Sequence, residues 1–65
     1  MKILVNGAWR ETQRDELAGA LEELGYGGSV VSTAVNGEFV AASLRARTAL
    51  AEGDRIEVLA PMQGG

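Results

Sequence analysis

The residues that can carry chemistry in this sequence lie at its end, which reads Pro61-Met62-Gln63-Gly64-Gly65. Pro61 cannot donate to a strand ladder and therefore ends the strand before it. Gly64 and Gly65 have no side chains, so a carboxylate on Gly65 can enter a narrow active site on another protein. Glycine also lets the backbone adopt whatever φ such a partner imposes. A terminal carboxyl has an ordinary pKa of about 3.3–3.7, so it is ionised at neutral pH and can attack an activated phosphate. The pattern suits a carrier whose Gly65 is the substrate of another enzyme's chemistry. A frayed terminus without a role is the competing reading of the same five residues.

The remaining candidates are weaker. Glu22 and Glu23 are adjacent on an expected helix and do not share a face. Glu52 and Asp54 flank a turn glycine. Both pairs read as solvated surface. Gly25, Gly27 and Gly28 follow a helix, whereas a phosphate-cradling loop must open one. Arg45 and Arg47 have three readings: an ion pair, a solvated surface, or a grip on an acidic partner. Trp9 is expected to be half buried in an edge hairpin, and Phe39 to belong to the core.

Composition narrows the field. The chain has no cysteine and no histidine. The first absence removes disulfides, thiolate zinc sites and a catalytic thiol. The second removes the commonest acid-base group at neutral pH. An independent enzyme is therefore not expected, nor a bound metal or cofactor. Six basic residues against nine acids leave a net charge of −3. Nucleic-acid binding needs phosphate neutralisation, so it is disfavoured, and a positively charged partner surface fits better.

Sixty-five residues make one small domain, which buries only about 60% of the surface its unfolded chain exposes. The apolar run Met1–Val5 stops at Asn6-Gly7, too short for a signal peptide or a membrane span. A cytoplasmic protein that does not engage the membrane is the expectation.

Few elements are available to position the tail. Lys2–Val5, Asn6-Gly7 and Ala8–Glu11 read as a β-hairpin, because both central residues of a type I′ turn need positive φ. Thr12 looks like a helix N-cap, with Asp15 completing an approximate capping box. Leu17, Ala20, Leu21 and Leu24 fall on one face of a helix expected over residues 13–24, and Gly25 stops it. Val30–Val35 reads as a strand, and Asn36-Gly37 turns it into Glu38–Val40. Residues 41–50 are either a short helical turn or an irregular crossing. Arg55–Leu59 alternates as the last strand.

The order is ββαββ: one helix on one face of a mixed four- to five-stranded sheet, an α+β layer pair. With the first and last strands as parallel neighbours in the middle, the fold is a β-grasp. Residues 1–60 then form the domain and residues 61–65 a flexible C-terminal tail.

Three stretches carry a resemblance to a known family. They are Met1-Lys2-Ile3 through Val5-Asn6-Gly7; Ala34-Val35-Asn36-Gly37-Glu38-Phe39-Val40; and Gly53-Asp54-Arg55-Ile56-Glu57-Val58-Leu59 running into Pro61-Met62-Gln63-Gly64-Gly65. Their order, the length and the Met-Gln-Gly-Gly ending resemble the ThiS family, ubiquitin-like sulfur carriers of thiamine (thiazole) biosynthesis. The related MoaD carriers of molybdopterin synthesis share the fold and the Gly-Gly end but tend to be longer. Ala41–Ala49 departs from the ThiS pattern, which often has a proline and an aromatic residue there.

The resemblance implies a sequence of events on Gly65. An E1-like, ThiF-like adenylyltransferase using ATP and Mg would adenylate its carboxylate. Sulfur from a donor such as a cysteine desulfurase would displace AMP and leave a thiocarboxylate. A ThiG-like thiazole synthase would then take the sulfur. Gly64 would thread the partner's tunnel, and Pro61, Met62 and Gln63 would line its mouth. Two alternatives stand beside this: a MoaD-like carrier for molybdopterin synthesis or tRNA thiolation, and a non-catalytic ubiquitin-like interaction module.

Overall fold

The computed structural model describes residues 1–60. Two Asn-Gly pairs set the frame. Asn6 and Gly7 have φ of 50° and 83°, and Asn36 and Gly37 have 51° and 85°. Paired positive φ values match the right-handed twist of the flanking strands, so each pair closes a tight hairpin. The first joins β1 (Lys2–Val5) to β2 (Ala8–Glu11). The second joins β3 (Ser32–Val35) to β4 (Glu38–Val40). Between the hairpins lies α1 (Leu17–Glu23). A 3₁₀ helix, Ala42–Arg47, precedes β5 (Arg55–Leu59).

The five strands form one sheet in the order β2-β1-β5-β3-β4. β5 runs parallel to β1, with Leu4 opposite Arg55, and antiparallel to β3. This is the expected β-grasp arrangement. Ile3, Val5, Ile56, Val58 and Val40 point from the sheet to Leu17, Ala20 and Leu21 of α1, and Leu50 completes the core.

The helix starts later than the expected residue 13, and Thr12 is not its cap. The Thr12 hydroxyl accepts from the Arg14 N–H at 3.1 Å, a local turn that competes with helical bonding. The next residues are held extended. Leu50 N–H donates to the Asp15 carbonyl and Leu17 N–H to the Thr48 carbonyl, both at 2.9 Å. Glu16 then caps the helix by accepting from Gly19 N–H at 2.7 Å. At the other end, Tyr26 N–H bonds the Leu21 carbonyl and Gly25 N–H the Glu22 carbonyl, the Schellman pattern that satisfies final-turn carbonyls.

Other expectations also shift. The strand expected over Val30–Val35 begins at Ser32, leaving Val30 exposed. Phe39 is not core: it is 73% exposed, because the alternation of β4 gives the inward position to Val40. Trp9 is exposed rather than half buried, as every residue of edge strand β2 is. The stretch 41–50 contains the 3₁₀ turn, whose Arg45 is half-buried and, among the described residues, pairs with no carboxylate. Its Nε donates to the Thr33 hydroxyl at 3.0 Å and its Nη2 to the Val31 carbonyl at 2.6 Å. The Thr33 hydroxyl donates onward to the Val40 carbonyl, so one guanidinium ties the 3₁₀ turn to β3 and the β3–β4 pair.

Candidate functional site

β5 occupies the middle of the sheet and leads directly toward residue 61. Its position is fixed from both sides. In a parallel pair each strand offers N–H and C=O groups alternately to its neighbours. Leu4 N–H donates to the Asp54 carbonyl and Asn6 N–H to the Ile56 carbonyl, both at 2.9 Å. The β1 backbone then turns away at Asn6-Gly7. The Asn6 side chain takes over. Its Oδ1 accepts from Val58 N–H at 2.8 Å, and its Nδ2 donates to the Val58 carbonyl at 3.0 Å.

Asn36 does the corresponding work at the start of β5. Its N–H donates to the Arg55 carbonyl at 2.7 Å. Its Oδ1 accepts from Arg55 N–H at 2.9 Å, and its Nδ2 donates to Asp54 Oδ1 at 3.0 Å. Both asparagines were legible as turn formers. Their grip on β5 was not, since Asn6 and Val58 lie 52 residues apart.

Among the described residues nothing covers the sheet face opposite α1. Ile56 and Val58 are buried, so Arg55, Glu57 and Leu59 take the open side. Paired residues share a face. Trp9 lies opposite Leu4, Leu4 opposite Arg55, and Phe39 opposite Ala34, which faces Glu57. Trp9, Phe39 and Leu59 are 61%, 73% and 65% exposed. A shallow groove lined by Leu4, Asn6, Gly7, Arg55, Glu57 and Leu59 runs beside the end of β5.

Among the described residues no three of His, Cys, Asp and Glu come together as metal ligands. One carboxyl stands apart electrostatically. Glu23 is held below its ordinary range, first by the Thr12 hydroxyl and then by the Gln13 N–H. That arrangement ties the loop after β2 to the last turn of α1. The residues expected to do chemistry, Pro61, Met62, Gln63, Gly64 and Gly65, lie outside the described residues.

A family model decides the relationship: it matches residues 3–65. The chain belongs to the ThiS family. The ThiS match runs through all five residues of the expected tail. Among solved structures, the chain is similar to the crystal structure of thiamine biosynthesis protein ThiS from Geobacter metallireducens. That likeness has a TM-score of 0.84 and 26% sequence identity, and covers 100% of both chains. No curated protein matches. Among the described residues no helix is long and apolar enough to cross a membrane.

Proposed function

We propose that this ThiS-family chain is a sulfur carrier of thiamine biosynthesis, acting as a co-substrate and catalysing nothing itself. The Gly65 carboxylate attacks the α-phosphate of ATP, with Mg, on an E1-like, ThiF-like adenylyltransferase, and pyrophosphate leaves. The terminal sulfur of a persulfide donor, such as a cysteine desulfurase supplies, displaces AMP, and a thiol reductant cleaves the resulting acyl disulfide to leave the Gly65 thiocarboxylate. A ThiG-like thiazole synthase accepts the sulfur. Residues 61–65 act as a flexible arm on the domain of residues 1–60, with Gly64 threading the partner's channel and Pro61, Met62 and Gln63 at its mouth. The site of action is the cytoplasm.

The observation that carries this reading is the ThiS match extending to residue 65, on a fold whose central strand feeds the arm. The uncovered apolar face adds support. Leu59 lies one residue before Ala60 and is largely exposed, so the adenylyltransferase that takes Gly65 covers it on the way.

Intact-mass spectrometry tests the proposal. Incubation with the adenylyltransferase, ATP, Mg and a sulfur source should add the mass of one oxygen-for-sulfur exchange at Gly65. No change, under conditions where a known ThiS carrier reacts, would sink it. Sulfur delivered to a molybdopterin or tRNA acceptor but not to thiazole would move the chain to another pathway.

A further inference from the structure

Asn6 does more than form a turn. Its φ of 50° satisfies the turn, and glycine would satisfy it equally. Its side chain performs a separate task, because the β1 backbone has already left β5 when β5 still has residues to place. β1–β5 pairing ends at Val5 opposite Ile56. Without Asn6, both backbone groups of Val58 on the β1 side lose their partner. The amide of Asn6 stands in for a peptide group and extends the ladder to Val58. On the other side, β3 follows β5 as far as Ser32 opposite Leu59. The described chain after that is Ala60 alone.

We infer that Asn6 is a positioning residue for the C-terminal arm: its side-chain amide holds β5 in register through Val58 and fixes where the arm departs. This inference rests on the carrier reading above for its enzymatic consequence, and on the Asn6–Val58 bonds for its structural half. An arm that starts from a fixed point loses less freedom when a partner engages it. A frayed β5 end moves that ordering cost to the encounter, which raises KM and leaves the chemical step alone.

Asn36 supplies the internal control. Its Oδ1 likewise accepts from a β5 backbone N–H, that of Arg55 at the end remote from the arm, while its Nδ2 donates to the Asp54 carboxylate instead of a β5 carbonyl. Asn6→Gly and Asn36→Gly both keep the positive φ and both delete an amide. Asn6→Asp keeps the acceptor for Val58 N–H and loses the donor.

Two measurements on the full chain decide the matter. Amide hydrogen exchange should show Val58 to Ala60 opening faster in Asn6→Gly, while Asn36→Gly affects Arg55 instead. In the adenylation assay, Asn6→Gly should raise KM by about fivefold with kcat unchanged, the scale of a lost hydrogen-bonded constraint. Asn6→Asp should fall between it and the parent, and Asn36→Gly should match the parent. Unchanged exchange at Val58, or equal KM changes in the two glycine variants, overturns the inference. If the parent chain is not adenylated at all, the carrier reading fails, and exchange alone still decides whether Asn6 holds the end of β5.

Discussion

The Thr12 hydroxyl donates its proton to the Glu23 carboxylate, joining the loop after β2 to the final turn of α1. Gln13 N–H donates to the same oxygen at 3.0 Å. Thr12 is buried, so the contact anchors the irregular stretch that precedes the helix. Both donors favour the charged form of Glu23 and hold its pKa below the ordinary 4.5. A depressed folded-state pKa means the unfolded chain binds the proton first. The stabilisation is therefore complete above pH 4.5 and fades as pH falls through the lower folded value. Thermal melts of the parent and Glu23→Gln should differ most at neutral pH and converge in acid. A constant Tm difference across that range would contradict this account.

Arg45 should matter for stability and not for sulfur transfer. Arg45→Met removes the bonds to Val31 and Thr33. It leaves the nearly inaccessible Thr33 hydroxyl one partner short. Loss of a charged hydrogen-bonding group of this kind costs about 1–3 kcal/mol, measurable by urea denaturation. Below the unfolding transition, thiocarboxylation should proceed at the parental rate.

The open face divides into parts near and far from the arm. Leu59→Ser and Phe39→Ser should each leave folding stability within about 0.5 kcal/mol, as exposed substitutions do. Leu59→Ser should raise KM for the adenylyltransferase more than Phe39→Ser, since Phe39 sits on edge strand β4. Steady-state kinetics on both variants would check the order, and the reverse order would place the partner over the β3–β4 edge.

Deleting Gly65 should abolish thiocarboxylation without disturbing the fold. The core is built from residues 3 to 58, so the Tm should stay at the parental value. An interaction module with incidental terminal glycines would instead keep both its partner and its phenotype after the deletion.

The turns, the helix face and the last strand were legible because each is written locally. Asn-Gly demands positive φ, and Leu17, Ala20 and Leu21 recur at the helical period. The late helix start was hidden because Thr48 and Leu50, far along the chain, bond the backbone of residues 15 and 17 and hold Glu16 between them extended. Phe39 misled because aromatic bulk suggests burial, while strand alternation assigns the inward place to Val40. Arg45 and the two asparagines share one reason for being missed: their side chains bond backbone groups of distant residues, and a backbone group leaves no mark in the sequence. The tail expected over residues 61–65 was read from Pro61 and the glycines after it, and it lies outside the described residues.

The strand order also bears on how the chain is made. β5 separates β1 from β3 in the sheet yet follows both in sequence. The two hairpins therefore share no strand neighbour until residues 55–59 have been synthesised. A nascent chain stopped earlier cannot close the sheet and leaves Ile3 and Val5 without Ile56 and Val58. The ribosome adds the glycines only after the strand that completes the fold. A chain that stops before residue 55 therefore lacks the strand both hairpins share, and with it the sheet face beside Leu59.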